Sequence, residues 1–272
     1  MKTNKVALDL LPKIYKSTKA NVKGNIFYFH GGGLLLGSKL DLPKYHIESI
    51  TNAGYNILAF NYPLAPESDF NVIIEGVKYS INKYSEEIDL PYFLWGRSAG
   101  AYLCLLSVSQ GLNRKPSGLI SYYGYGFLRE DWYNTPSEFY LKYPTIEFNN
   151  IKNLIQEVPI VHSPVNPRFL LYLYARQTGK WLEFIGGKNE AEFLLRYSLR
   201  KKDLSNFPPV FLAHNTMDND VPYEESIELE KRLKEVQLFS CTTTDHDFDR
   251  NTDSQLAKDL IHETIEFLDS FI

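Results

Sequence analysis

A chain of 272 residues, 44% hydrophobic and 23% charged, can bury a large core and is read as a single domain, residues 1–272, carrying an insertion. The net charge of -4 and the lack of any extended Lys/Arg run argue against nucleic acid as a partner. No apolar run approaches the roughly 18 residues of a membrane span. The opening MKTNKVALDLLPKIYK interleaves charges with short apolar pieces, so a soluble cytoplasmic protein without a membrane partner is expected.

In chain order, the nearly all-apolar run NIFYFH (25–30) leads into three consecutive glycines, Gly31, Gly32 and Gly33. His30 is read as shaping this turn, and His46 as lying on a surface helix. YNILAFNY (55–62) and PYFLWG (91–96) are two further apolar runs, the second entering GRSAG and the helix-like AGAYLCLLSVSQG, which ends near Gly111. GLISYYG (118–124) follows. Regular alternation then fails between about 125 and 205, where Tyr, Phe, Trp and Pro are dense and RFLLYLYARQ has helical spacing; this stretch is read as an insertion over one end of a sheet. It contains His162. PVFLAHN (209–215), with His214 near its end, resumes the pattern. PYEESIELEKRLKEV puts Ser226, Leu229, Leu233 and Val236 on one stripe of a surface helix starting near Pro222. After the strand LFSCTTT and the polar TTTDHDFDRN, the C-terminal stretch places Leu256, Leu260, Phe267 and Phe271 on one face of a last helix, with His262 on the solvated side. Apolar runs alternating with helical stretches imply an α/β fold: a mostly parallel sheet with helices on both faces. The two cysteines, Cys104 on a helix and Cys241 on a strand, lack CxxC spacing and are read as reduced core thiols.

Two motifs carry chemistry. With 16 glycines in the chain, a Gly-x-Ser-x-Gly such as GRSAG arises by chance in roughly one sequence in fifteen, so Ser98 alone could mark a structural turn. HGGG is expected in only about one sequence in a thousand. Its glycines leave backbone N–H groups uncovered by side chains, a suitable cradle for an oxyanion.

HGGG, GRSAG and NYPLAPE (61–67) together resemble the α/β-hydrolase superfamily, specifically its hormone-sensitive-lipase-like esterase branch, from about residue 22 onward. The resemblance implies an α/β-hydrolase fold in which 125–205 forms the lid. It implies a serine hydrolase that cleaves small carboxylic esters through an acyl-enzyme, with no metal or organic cofactor. Ser98 would be the nucleophile, with the N–H groups of Ala99, Gly32, Gly33 and, less centrally, Gly31 as the oxyanion hole. The superfamily order of nucleophile, acid, histidine then selects His246 in its polar loop over His262 as the base. Asp218 and Asp220 compete for the acid. Asp218 stands in a DxxVP pattern like the acid turn of many α/β-hydrolases and is assigned to the triad; Asp220 is read as a helix cap. Asp245 and Asp247 flank His246 and could tune its pKa.

The chain departs from the branch in carrying GRSAG for GDSAG and NYPLAPE for DYRLAPE. Arg97 is read as a surface pair, or alternatively as an attractor for an anionic substrate. Only 29 residues precede His30, so the insertion must supply most of the lid. Its aromatic residues, with Tyr122, Tyr123, Tyr125, Trp132, Tyr140, Tyr143 and Trp181 in or near it, could line a pocket or merely dock its helices. An exopeptidase or amidase, suggested by DxxVP, is the alternative reaction; a non-catalytic small-molecule receptor is the alternative class. Assembly stays open, a homodimer included.

Overall fold

The computed structural model describes residues 10–128 and 131–272; the first nine residues of the charged N-terminal stretch and residues 129–130 of the insertion lie outside it. Seven strands form one sheet: β1 Lys13–Tyr15, β2 Gly24–Phe29, β3 Tyr55–Phe60, β4 Tyr92–Arg97, β5 Gly118–Tyr122, β6 Val210–Asn215 and β7 Val236–Cys241. Their spatial order is β1-β3-β2-β4-β5-β6-β7, with only β1 antiparallel to its neighbour. β2, β4, β5 and β6 are buried along their whole length, as continuous apolar runs require when both faces are covered.

Alternate residues of these strands feed two cores. Phe27, Phe29, Leu58 and Phe60 face one side, where helices α2 (Phe70–Glu86) and α3 (Ala99–Gln110) pack. Ile26, Tyr28, Ile57 and Ala59 face the other, covered by α1 (Lys44–Ala53) and α9 (Gln255–Asp269). The α9 helix starts where the Ser254 hydroxyl accepts the Ala257 N–H, and it buries Leu260, Ile261, Thr264, Phe267 and Leu268.

The stretch read as an insertion, between β5 and β6, contains helices α4 (Phe148–Ile151), α5 (Val165–Thr178), α6 (Trp181–Phe184) and α7 (Glu190–Tyr197). Its Leu171, Tyr172, Trp181 and Phe193 join the first core, so it shares apolar packing with the sheet. Glu67 of NYPLAPE explains part of that docking: the buried Arg168 guanidinium binds both Glu67 carboxylate oxygens, with Nη1 2.8 Å from Oε1, and donates to the Ala65 carbonyl at 2.7 Å. Tyr125, Trp132 and Trp181 pack on one another at 5.2–6.4 Å between ring centres, and Trp181 donates to the Gly33 carbonyl at 2.8 Å. These three aromatics dock the insertion.

Three expectations fail here. Helix α8 runs only over Glu224–Arg232; Leu233 already has extended backbone, and Val236 opens β7, where it pairs with Val210. His46 is wholly buried on α1, not on a surface. Cys241, on an edge strand, is half-buried, with burial and the Asp218 charge pushing its thiol to about 11; Cys104 is fully buried and its thiol is raised further. The first two errors share a cause, a polar or charged pattern whose tertiary partner is remote in sequence.

Candidate active site

The strand-to-helix turn after β4 holds Ser98 at φ 51° and ψ -120°, a left-handed conformation that a side-chain-bearing residue rarely adopts. The glycines on either side permit it. A Cβ on Gly96 would lie 2.3 Å from the Ala101 Cα, and one on Gly100 would lie 2.2 Å from the Phe29 carbonyl oxygen. The first turn of α3 is therefore pressed against the end of β2, which brings the glycine loop beside the serine. Gly31 sits so close that its Cβ would stand 3.3 Å from that of Ser98. His30 is buried; its Nδ1–H donates to the Gly31 carbonyl at 2.8 Å, and its ring stacks on Tyr62 at 4.2 Å. Burial lowers its pKa, so it serves the turn as a neutral imidazole.

β6 and β7 deliver the other two residues from neighbouring strand ends. The Ser98 hydroxyl is 2.9 Å from His246 Nε2, and His246 Nδ1 is 2.6 Å from Asp218 Oδ2. Asp218 also accepts the N–H groups of Asp220 (2.8 Å) and Val221 (3.0 Å) on Oδ1, and His214 Nε2 lies 3.2 Å from Oδ2. The DxxVP pattern is thus the turn that wraps this carboxylate. Asn215 stitches the two loops together: its Oδ1 accepts the Met217 and Thr243 N–H groups, and its Nδ2 donates to the Asp245 carbonyl.

Burial acts to raise the Asp218 pKa, but the His246 charge and the His214 and His246 hydrogen bonds outweigh it and hold the carboxyl well below its usual range. For His246, burial disfavours the imidazolium, yet Asp218 at Nδ1, with Asp220 and Asp247 nearby, outweighs it and raises the pKa to about 9.

Asp220 does not cap α8, whose N-cap is Tyr223. Its buried carboxylate instead accepts the Tyr172 hydroxyl on both oxygens (2.7 and 2.8 Å), sits 3.3 Å from Arg176 Nε, and lies 3.9 Å from His246 Nε2. Arg97 is 1% exposed and paired with Asp249, which removes both readings made for it, the surface pair and the anion attractor. Tyr172, Arg176 and Asp249 escaped sequence reasoning; no local pattern marks them. His162 stands in the insertion, and His262 is an exposed residue 3.4 Å from Glu266.

Ser98, His246 and the three glycines border a cavity of about 570 Å³. The insertion walls one side with Phe139, Tyr140, Tyr143, Val165, Phe169 and Tyr172; Thr244, Asp245, Asp247 and Arg250 form the other. Ala99 begins α3 directly behind the serine. Among the described residues no group of three or more His, Cys, Asp and Glu is placed to hold a metal ion, and no helix is long and apolar enough to cross a membrane.

Gly33, at φ 58°, is the point where insertion and glycine loop meet, since a Cβ there would come within 2.2 Å of the Tyr172 ring. Gly33→Ala is expected to destabilise the fold by about 2–4 kcal/mol in urea denaturation, combining left-handed strain with overpacking.

Residues 26–249 match the family Abhydrolase_3, described as alpha/beta hydrolase fold. Two solved structures are similar over nearly their whole lengths. A protein of unknown function from Staphylococcus aureus is 32% identical, with TM-score 0.86, 96% of this chain and 94% of that chain covered. An alpha/beta hydrolase superfamily protein from Enterococcus faecalis is 30% identical, with TM-score 0.85 and 94% of each chain covered. A hormone-sensitive lipase from a metagenome library shares the fold at 19% identity and TM-score 0.65, with 94% of this chain and 81% of that chain covered. No curated protein sequence matches. The extent of the family match, over a sheet that ends in this serine elbow, places the chain in the alpha/beta hydrolase fold family.

Proposed function

We propose that the protein is a serine esterase that hydrolyses small carboxylic esters through a Ser98 acyl-enzyme, with residues 125–205 acting as lid and pocket wall within one domain. The observation that carries this reading is the unbroken Ser98–His246–Asp218 relay opening onto a cavity beside the glycine loop. His246 Nε2 takes the serine proton as Oγ attacks the acyl carbonyl, and the carbonyl oxygen gains its charge against the N–H groups of Gly32, Gly33 and Ala99, with Gly31 bordering them. The same imidazole then delivers the proton to the departing alkoxide. Water repeats the sequence on the acyl-enzyme and releases the acid. Asp218 keeps the Nδ1–H tautomer in place and offsets the imidazolium charge.

The cavity favours compact, apolar and uncharged esters. Its insertion side is aromatic, Arg97 is matched by Asp249, Arg250 by Asp247 and Asp41, and Asp220 by Arg176, while Asp245 adds negative charge. The DxxVP pattern is the turn around Asp218, a feature that an esterase and a peptidase on this triad would share. A panel of p-nitrophenyl esters of increasing acyl length, a carboxylate-bearing ester and an aminoacyl anilide tests the reading. Turnover of the short neutral esters is expected, with the anilide and the anionic ester slowest; anilide cleavage exceeding ester cleavage would sink it.

A pH dependence follows from the raised pKa. Only neutral His246 can accept the serine proton, and the folded protein holds it protonated up to about pH 9. The kcat/KM of a neutral ester should therefore rise about tenfold per pH unit through the neutral range and level off above about 9. A profile already flat at pH 7 would contradict the electrostatics described for His246.

A further inference from the structure

We propose that Arg97, Tyr123 and Asp249 act as positioning residues, a buried clamp that fixes the His246 loop against the Ser98 elbow; the proposal rests on the esterase reading. The three come from separate parts of the chain. Arg97 is the last residue of β4, one before Ser98; Tyr123 follows β5; Asp249 lies in the short turn Phe248–Arg250, three residues after His246. Arg97 Nη2 donates to Asp249 Oδ1 at 2.8 Å, Arg97 Nε donates to the Tyr123 hydroxyl oxygen at 2.6 Å, and that hydroxyl donates to the same Asp249 oxygen at 2.7 Å. The triangle is closed.

All three residues are at most 1% exposed. Buried charges persist only where they are paired and hydrogen-bonded, and water does not compete for these bonds, so their geometry is narrowly defined. Burial opposes ionisation of Asp249, but the Arg97 charge outweighs it and holds the carboxyl below its usual range. On its other side, Asp249 Oδ2 lies 3.0 Å from Nε2 of the buried His46, whose ring is stacked on Trp95 of β4. The histidine loop thus meets β4 directly through Arg97 and, at one remove, through His46 of α1 packed on Trp95.

The clamp reaches the imidazole directly. The Tyr123 ring lies edge-on to the His246 ring with centres 4.7 Å apart, and the opposite end of that tyrosine is the hydroxyl held by Arg97 and Asp249. His246 lies in a polar loop and is partly exposed, so the Asp218 bond alone would leave its ring free to swing about that bond. Tyr123 blocks the swing. The guanidinium where relatives of this branch carry an acid is thus paired inside the protein, with Asp249 at 2.8 Å and Asp41 at 3.6 Å.

Tyr123→Phe keeps the ring and removes both hydroxyl bonds; Arg97→Lys keeps the charge and removes the fork. In the full chain, Tyr123→Phe is expected to lower kcat ten- to a hundredfold on a short p-nitrophenyl ester with KM within threefold. Arg97→Lys should fall between it and wild type. The downfield proton resonance of His246 Nδ1–H should broaden or shift in both, a change that loss of stability elsewhere would not produce. Folded Tyr123→Phe with kcat within twofold of wild type and an unmoved resonance would overturn the clamp. So would a loss confined to KM. Asp249→Asn strands a buried guanidinium, so a failure of that variant to fold is set aside in favour of the two milder ones. If wild type neither turns over esters nor labels at Ser98, the esterase reading fails, and the resonance still decides whether the clamp holds the imidazole.

Discussion

Ser98→Ala is expected to lower kcat by about a million-fold, because without the hydroxyl the base has nothing to activate and the two-step route through an acyl-enzyme disappears. The protein should remain folded. The Ser98 hydroxyl makes one hydrogen bond, to His246, and alanine carries the same left-handed strain at φ 51° that serine already bears. Thermal unfolding within a few degrees of wild type, together with loss of labelling by a fluorophosphonate, is the expected pair of results. Labelling that survives the substitution would place the reactive group elsewhere. The residual rate should be measured on the purified variant against a Ser98→Ala/His246→Ala double variant. Residues acting as one unit lose almost everything at the first substitution, so the double variant should be no slower than the single one.

The parts of this site legible in the sequence are those where local chemistry demands a residue type. The apolar runs that became β2 to β6 are continuous because both faces of the sheet are covered, and HGGG and GRSAG stand out because backbone meets backbone at Gly100 and Gly31. β1 was illegible: Lys13–Tyr15 is three residues long, mostly exposed, and its strand partner, β3, is some forty residues away in sequence. Arg97 was misread because arginine is seldom buried, and the carboxylate that permits its burial is 152 residues away. His46 was misread for the same reason, its partner again being Asp249. Asp220 stands just before Val221 and Pro222, where a cap would be expected, yet Tyr172 and Arg176 of the insertion claim its side chain. Partners of this kind are set by tertiary structure, and no window of sequence contains both members.

Asp218→Asn is expected to reduce kcat by about ten-thousandfold, while Asp220→Asn should reduce it less than tenfold, and the contrast decides which carboxylate orients the base. The two residues are only two positions apart but meet different imidazole nitrogens: Asp218 is 2.6 Å from Nδ1, and Asp220 is 3.9 Å from Nε2, the nitrogen that must stay free for the serine proton. Asparagine at 218 can still accept the Asp220 and Val221 N–H groups through its amide oxygen, so the turn survives. Its NH₂ group, facing Nδ1, makes that nitrogen an acceptor and puts the imidazole proton on Nε2. There it points at Ser98 and cannot receive the serine proton. The charge change has its own signature. Burial alone lowers the His246 pKa, and Asp218 is the main group raising it to about 9, so in Asp218→Asn the inflection of the residual activity should move to lower pH. In Asp220→Asn the inflection should move the same way but less, because Asp218 still holds Nδ1. If Asp220→Asn proved the more damaging change in kcat, the acid would have to be reassigned, and the Tyr172 and Arg176 contacts of Asp220 would then belong to the catalytic machinery.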